Sequence, residues 1–195
     1  MRRCRTLSGV RTEIGVDEAV AWPAAVAGDG SAFALVYDLH ADRVFRHASR
    51  LVATVHDAED VTAAAFFELW RRRADVRVVG GSVLPWTLVT ATNVARNVRR
   101  GTQRYRRLID ALPRPVDAAV PVESDLSPAM HDALTALRAS DLEILVLVDI
   151  EGYAVVEAAA VLGLSLAAAK SRLLRARAKV RAGLVRDTAE GGGFA

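Results

Sequence analysis

The chain has 195 residues, of which 52% are hydrophobic, so it is long enough for one ordinary domain or two small helical ones with real cores. No apolar run approaches the roughly 18 residues that a membrane-spanning helix needs. The basic N-terminus also lacks the apolar run and cleavage site of a secretion signal. Cys4 is the single cysteine, which excludes an internal disulfide framework, and the histidines show no metal-site spacing with it. We therefore expect a soluble cytoplasmic protein with no metal site and no membrane insertion.

The charge is distributed unevenly, although the formal net charge is only +3. Residues 96–107 and residues 170–181 each carry six basic side chains and no acid, whereas residues 110–161 carry ten acids and only two bases. Two cationic segments separated by an acidic stretch indicate two points of contact with a polyanion. The alternative is that each arginine-rich segment is simply the solvated face of a helix.

The chain is predicted to be helical nearly throughout, because no sustained alternation of apolar and polar residues is bounded by hairpin turns. Glycine pairs at positions 28 and 30 and at positions 80 and 81 mark breaks between helices. Ser31 stands where a cap is expected, and Pro85 where a first helical turn begins. In the N-terminal half the predicted helices run from Ser31 to about Leu39, from about Asp42 to Val55, from about Asp57 to Arg73 and from Pro85 to about Leu108.

The helix predicted to begin near Asp57 combines an acidic start with an apolar stripe. Asp57, Glu59 and Asp60 lie in its first turn, where the helix dipole favours negative charge. Because these carboxylates are adjacent at one helix start, their ordinary role would be capping. The stripe at helical spacing consists of Val61, Ala65, Phe66, Leu69 and Trp70.

The helix predicted to begin at Pro85 offers a candidate nucleic-acid surface. Its apolar stripe consists of Trp86, Val89, Val94, Val98 and Tyr105. Its polar side carries Asn93, Arg96, Asn97, Arg100 and Arg104. An asparagine can read a base edge, arginines can hold phosphates, and an aromatic ring near the helix start can stack an unpaired base. Trp86 has a second interpretation, since a tryptophan in an apolar stripe is more often a core residue.

The C-terminal half begins after a proline-rich stretch. Four prolines and several acids between Leu112 and Pro128 show no periodicity, and we interpret residues 111–127 as a linker. Ser127 followed by Pro128 fits a cap and a first helical position. Ser140 to Glu143 have the spacing of a capping box, which predicts a helix start at Asp141. The buried stripe predicted for the first helix of this half consists of Met130, Leu134 and Leu137.

The most specific pattern lies between residues 152 and 181 and has the spacing of a helix-turn-helix. Ala159 is small enough for two helices to cross closely, and Gly163 permits a left-handed turn. Leu164 then fills the space between the helices, and Ser165 caps the second helix. The predicted inner stripe of that helix is Leu166, Ala169, Leu173, Ala176 and Val180, and the predicted outward cations are Lys170, Arg172, Arg175 and Lys179. Such a face suits phosphates and base edges in a DNA groove, although a plain helical hairpin with a basic surface would share the pattern.

No catalytic pattern accompanies these features. The glycines around Asp29 lack the preceding strand of a phosphate-binding loop, and no serine, histidine and acid form a nucleophile signature. The sequence therefore predicts neither an enzyme nor a cofactor.

The ordered combination of these motifs resembles one family. Gly28 to Tyr37 and Asp57 to Val61, followed by Trp86 and Asn93, resemble region 2 of the extracytoplasmic-function (ECF) sigma factors of bacterial RNA polymerase. Leu137 to Arg181 resemble region 4 of the same family, which reads DNA with a helix-turn-helix. The resemblance covers about residues 16–184.

The resemblance implies an all-α protein of two small helical domains joined by a flexible linker. The expected divisions are a variable segment at 1–15, a region 2-like domain at 16–110, the linker at 111–127, a region 4-like helix-turn-helix domain at 128–186 and a disordered tail at 187–195. The implied partners are core RNA polymerase and promoter DNA, and an anti-sigma factor is a further candidate. The implied function is promoter-specific initiation through recognition of the −10 and −35 elements.

The resemblance also assigns residues to each contact. The residues expected to contact the opened −10 strand are Trp86, Asn93, Arg96, Asn97, Arg100 and Arg104. Those expected to contact the −35 duplex are Ser165, Lys170, Ser171, Arg172, Arg175 and Lys179. Those expected to dock on core polymerase are Asp57, Glu59, Asp60, Phe66 and Trp70.

Two other functions remain open at this point. A self-standing helix-turn-helix regulator would bind duplex DNA without polymerase. A sigma-like decoy would instead bind an anti-sigma factor, and Ala63-Ala64, at positions where the family usually has a glutamine and a glutamate, keep this alternative open.

Overall fold

The computed structural model describes residues 18–109 and 126–191, with side chains for residues 18–101 and 126–185. Across these ranges the chain is helical and contains no strand, only an isolated bridge between Val79 and Ser82. The prediction of an all-α fold of two domains is therefore confirmed. The segment predicted at 1–15 and nearly all of the linker predicted at 111–127 lie outside the described residues. Among the helices of the described ranges, none combines the length and the apolar character needed to cross a membrane.

The N-terminal domain consists of four helices. In chain order they are α1 (Glu18–Val26), α2 (Gly30–Ser49), α3 (Val55–Arg71) and α4 (Leu84–Ile109). Asp29, rather than Ser31, caps α2, because its carboxylate accepts the Ser31 and Ala32 N–H groups at 2.8 and 3.1 Å. Thr54 caps α3 by accepting the Asp57 N–H at 3.0 Å. The helix starts are thus fixed by side-chain oxygens, one or two residues from their predicted positions.

Helix α2 is continuous where two helices were predicted, so the predicted break between Leu39 and Asp42 is wrong. No glycine or proline interrupts this stretch, and His40 within it is buried by α1. The His40 ring and one oxygen of Glu18 are 2.9 Å apart, and the other oxygen accepts the Val83 N–H at 2.7 Å. One carboxylate therefore joins α1, α2 and the start of α4.

The core of this domain contains large aliphatic side chains from every helix but the first. On α4 the fully or nearly fully buried stripe is Leu84, Leu88, Ala91 and Ala95. The predicted stripe lies beside this one, since Trp86, Val89, Val94 and Val98 are half-buried and pack against the core. Val83 and Leu84, directly ahead of Pro85, are buried in the core at the start of the helix. Tyr105 lies beyond the described side chains.

The C-terminal domain consists of three short helices and the long helix α8 against which they pack. They are α5 (Pro128–Thr135), α6 (Ala139–Leu145) with a π-helical continuation (Val146–Ile150), α7 (Val155–Leu162) and α8 (Leu166–Gly191). Ser127 caps α5 as predicted by accepting the Met130 N–H at 3.2 Å. The predicted domain ends at 186 and is followed by a tail predicted to be disordered, but α8 continues to Gly191. The rest of the predicted tail lies outside the described residues.

The predicted capping box at Ser140 is wrong. Helix α6 begins at Ala139, after Arg138, and no side chain caps it. Ser140 therefore lies inside the helix, and the two acids of this stretch make other contacts. Asp141 is buried and binds Lys179 of α8, while Glu143 is turned towards the N-terminal domain.

The helix-turn-helix is present between α7 and α8. Gly163 has the left-handed conformation with φ of 65°, and Ser165 accepts the Ala168 N–H at 3.2 Å. Ala159 is buried at the helix crossing, as predicted. The inner stripe of α8 begins at Ala169 rather than at Leu166, which is 43% exposed.

Candidate polymerase and nucleic-acid interfaces

The outer face of α8 is open to solvent at five of the six positions predicted to contact duplex DNA. The exposed residues are Ser165, Lys170, Ser171, Arg175 and Lys179, and Arg172 is half-buried. Arg175 donates a hydrogen bond to the Ser171 hydroxyl at 2.8 Å, which holds its guanidinium over the helix surface. A charged fork and a hydroxyl on one helical face are the groups that contact phosphates and guanine edges.

Two of the predicted cations of α8 also interact with acids of the protein itself. Lys179 forms an ion pair with Asp141, whose side chain is 7% exposed. Arg172 is half-buried, and its charge lies close enough to Glu143 to act on the pKa of that carboxyl. Their availability to DNA therefore depends on competition with two acids of α6.

Leu174 is a surface residue that the sequence pattern did not single out. It is 70% exposed and lies three and four residues after Ser171 and Lys170, hence on the same helical face. An apolar side chain among cations can contact a thymine methyl group. The signal that could have found it is an aliphatic residue outside the inner stripe of a basic helix.

The predicted strand-binding face of α4 is partly covered by the C-terminal domain. Asn97 and Arg100 are exposed, whereas Trp86, Asn93 and Arg96 are half-buried. Asn93 and Arg96 lie close enough to Glu143 of α6 to offset part of the rise in its pKa that burial causes. Next to them on α4, Arg99 donates to the Thr135 carbonyl at 3.4 Å. The side chain of Arg104 lies beyond the described side chains.

A buried carboxylate forms the strongest connection between the two domains. Glu151 follows the π-helical turn, and its side chain is only 4% exposed. It accepts from Arg43 Nε at 2.9 Å, its carbonyl accepts from Arg43 at 3.0 Å, and it lies 3.4 Å from Arg50 and 3.3 Å from His47 Nδ1. Burial alone would raise the pKa of Glu151, but the nearby His47 ring and the hydrogen bonds and charge of Arg43 outweigh it and lower the pKa. These contacts need the ionised carboxylate.

The predicted polymerase-docking helix presents a different set of groups. Glu59 and Asp60 are exposed, and the His56 ring lies 3.6 Å from the Asp60 carboxylate. The Asp57 carboxylate accepts a hydrogen bond from the Thr54 hydroxyl at 2.7 Å. An acidic edge at the start of α3 is therefore available to a partner.

The aromatic residues predicted for this contact lie largely inside the domain. Phe66 is 3% exposed and packs against Tyr37 with a ring-centroid distance of 4.6 Å. Trp70 is half-buried between Phe33, at 5.0 Å, and the Arg73 guanidinium, at 4.3 Å. Phe67, one position after Phe66, is instead 64% exposed. It lies seven residues after Asp60 on the same helical face, and sequence reasoning missed it because both phenylalanines fit the apolar period.

These features define a two-domain helical protein with a capped helix-turn-helix at one end and an acidic, aromatic helix at the other. Residues 36–105 match the family described as Sigma-70 region 2, and residues 128–180 match Sigma-70, region 4. The ECF RNA polymerase sigma factor SigE of Mycolicibacterium smegmatis is 34% identical over 77% of this chain and 61% of its own length. The RNA polymerase sigma factor CarQ of Myxococcus xanthus is 33% identical over 79% of this chain and 90% of its own length.

The fold is also similar to a solved structure, that of CnrH in complex with the cytosolic domain of CnrY. The similarity covers 88% of this chain and 99% of CnrH, with a TM-score of 0.59 and 26% identity. The chain therefore belongs to the ECF subfamily of RNA polymerase sigma factors. It spans less than two thirds of the length of SigE.

Proposed function

We propose that this protein is a cytoplasmic sigma factor that binds core RNA polymerase and directs promoter-specific initiation, without catalysis of its own. The membership of both domains in the ECF subfamily supports the proposal. The observation that carries it is the exposed, basic and capped recognition helix of a helix-turn-helix in the same chain as a region 2 domain.

In this function α8 contacts the −35 element as duplex DNA. Lys170 and Arg175 bind phosphates or guanine edges, Ser171 and Ser165 add hydroxyl groups, and Leu174 contributes an apolar contact. Exposed groups on one rigid helix can enter the major groove without any rearrangement of the domain.

The N-terminal domain supplies the other two contacts. The face of α4 with Asn93 and Arg96, extended by Asn97 and Arg100, binds the opened −10 strand, and Trp86 lies at its start for stacking. Glu59, Asp60 and Phe67 on α3 dock on core polymerase. An exposed aromatic ring flanked by acids resembles the anchors found at the centre of protein interfaces. CnrH was solved with the cytosolic domain of CnrY, so we include a regulatory protein of the anti-sigma type among the partners.

The test is reconstitution with core polymerase, followed by transcription from a pool of genomic fragments and mapping of the start sites. We expect co-sedimentation with core polymerase and start sites that share upstream sequence. A K170A/R175A variant, checked for helicity by circular dichroism, should retain polymerase binding and lose the shared start sites. Tight specific binding to duplex DNA without polymerase would instead establish a self-standing regulator. Failure to bind polymerase at all would favour a decoy.

A further inference from the structure

The start of α4 is held by a side chain from a distant helix. Val83 directly precedes α4, and its carbonyl accepts the Thr87 N–H at 3.0 Å, which closes the first turn of the helix. A residue at this cap position usually supplies a side-chain oxygen to the unpaired N–H groups of the first turn. Val83 has no such oxygen, and its side chain is completely buried. Glu18, at the start of α1, accepts the Val83 N–H instead, at 2.7 Å.

The segment before α4 is a tight turn that depends on support from the helices. Val79 and Ser82 exchange both of their backbone hydrogen bonds, at 3.0 and 3.1 Å, around Gly80 and Gly81. The glycines have φ angles of 61° and 79°, as a two-residue turn with two successive positive φ values requires. Within the described part of the N-terminal domain this bridge extends into no strand. A turn of this size is at most marginally stable by itself, so contacts with the helices fix its position.

Polar side chains connect this turn to α1 and α2. The His40 ring lies 2.9 Å from the second oxygen of Glu18 and 3.5 Å from the Ser82 hydroxyl oxygen. That hydroxyl accepts the Leu84 N–H at 3.0 Å. The side chains of His40 and Glu18 are only 8% and 11% exposed, so the packing around them fixes both. The turn and the first residues of α4 are therefore bonded to a rigid pair of side chains.

Stability alone does not explain why a carboxylate and an imidazole occupy this position. Removing such groups from water is costly, and apolar side chains of similar volume often join two helices equally well. A carboxylate adds an acceptor of fixed position, and the hydrogen bonds that it accepts from N–H groups are short and strong. Glu18 places this acceptor at the residue directly before α4. The pair therefore constrains the geometry of the α4 start.

We propose that Glu18 and His40 are positioning residues for the opened −10 strand, because they fix the first turn of α4 and thereby the place of Trp86. This inference rests on the proposed function, in which Trp86 stacks on a base of that strand. Trp86 lies three residues after Val83, about 4.5 Å along the helix axis, so a shift of the α4 start moves its ring directly. Glu18 and His40 are themselves too buried to contact DNA, and they act through α4.

The test measures how tightly the complex with core polymerase binds a forked template that has a single-stranded −10 element and no −35 element. Glu18→Ala should bind this template about tenfold more weakly than the wild type, the size expected when a base–aromatic stacking contact is weakened. Val44→Ala is the matched control, because Val44 is completely buried one turn after His40 on α2 and its side chain forms no hydrogen bond.

Both variants are measured at a temperature at which circular dichroism shows complete folding. A merely structural contribution of Glu18 then leaves the template affinity unchanged, whereas a positioning role lowers it. A Glu18→Ala complex that binds as tightly as the wild type would overturn the proposal. The same conclusion would follow if Val44→Ala lost as much affinity as Glu18→Ala.

A double-mutant cycle shows whether Glu18 acts through Trp86. In a Trp86→Ala background, Glu18→Ala should cost little further affinity, because the contact that Glu18 positions is already lost. An undiminished tenfold loss in that background would contradict the proposal. Glu18→Gln should recover most of the template affinity, since its amide oxygen can still accept the Val83 N–H although the charge is lost.

Ser82→Ala provides a second variant where Glu18→Ala does not fold. It removes the acceptor of the Leu84 N–H, leaves the buried pair in place and should also weaken binding to the forked template. If the wild-type complex does not bind this template, the proposed function is wrong and the positioning role fails with it. If the wild type binds, and the Glu18→Ala and Ser82→Ala complexes bind equally tightly, only the positioning role is wrong.

Discussion

The two domains present their proposed DNA surfaces in opposite ways. On α8 the groups at Lys170, Ser171 and Arg175 face solvent, whereas on α4 the groups at Asn93 and Arg96 face the other domain. The sequence carries six cations in each basic segment. The difference therefore lies in the acids between them, two of which fold back onto the N-terminal domain. Charge composition predicts that a surface can bind DNA, and packing decides whether it is accessible.

The cores of the two domains differ only at the helix crossing of the helix-turn-helix. The N-terminal domain buries large side chains such as Leu69 and Leu88 completely, and the C-terminal domain does the same with Ile144 and Leu147. Where α7 and α8 cross, the buried residues are instead small, including Ala159 and Ala169, which lets the helices approach closely.

The largest effect is expected in the N-terminal core. Leu88→Ala should lower the free energy of unfolding by about 2–5 kcal/mol, because it removes a completely buried side chain and leaves a cavity. Leu174→Ala, at the 70% exposed position on α8, should change it by less than about 0.5 kcal/mol. Urea denaturation of both variants measures the contrast. Similar losses would mean that Leu174 is packed in solution, and the comparison of surfaces would fail.

The next effect concerns pH and the carboxylate that joins the helices of the N-terminal domain. Burial alone would raise the pKa of Glu18, but its hydrogen bonds to His40 and to the Val83 N–H lower the pKa below the ordinary 4.5. The stability it contributes is therefore present above about pH 4.5 and is lost as the pH falls through the lower folded-state value. Glu18→Gln should cost about 1.5–3 kcal/mol at pH 7.

Measuring the free energy of unfolding as the pH is lowered checks this predicted loss of stability. The difference between wild type and Glu18→Gln should shrink as the pH falls below the ordinary carboxyl value. Glu143 gives the opposite sign, because its pKa is raised: its contribution is present below the ordinary value and is lost as the pH rises through the folded-state value. A Glu143→Gln variant that lost stability only above pH 7 would contradict this assignment.

A third prediction uses the two DNA surfaces directly. Arg175→Ala should weaken binding of the polymerase complex to intact promoter by about 1–3 kcal/mol and leave initiation on a pre-melted bubble largely unchanged. Asn93→Ala should show a defect that persists on the bubble, because its proposed partner is the opened strand. Equal defects of both variants on both templates would remove the division between the surfaces.

The features that the sequence predicts are those that depend on neighbouring residues. Gly163, Ser165 and Ser127 have their predicted roles because turn and cap geometry is set within four residues. The roles of Glu143 and Glu151 could not be predicted in this way. Arg43 and Glu151 are 108 positions apart, and their contact depends on how two separately folded domains pack.

The position of the apolar stripe on α4 and the choice between Phe66 and Phe67 failed for a related reason. Several helical faces contain enough apolar residues to be buried, and the sequence period does not distinguish them. Contacts with the rest of the domain decide which face is buried: Val83 lies in the core directly before α4, and the rings of Tyr37 and Phe33 pack against Phe66. On α8, by contrast, Leu173 is in the core as predicted, and its neighbour Leu174 lies on the surface.

The smallest changes in stability are expected for alanine substitutions of two glycines, one in each domain. Gly163 has φ of 65° in the turn before α8, so Gly163→Ala should destabilise the helix-turn-helix by about 1–2 kcal/mol through backbone strain. Gly101 lies inside α4, and a Cβ there would meet no atom within 4 Å. Gly101→Ala should therefore stabilise the protein by about 0.5–1 kcal/mol, because alanine favours the helix. Thermal unfolding followed by circular dichroism measures both signs, and a loss at Gly101 as large as that at Gly163 would show that α4 is bent or covered at this point.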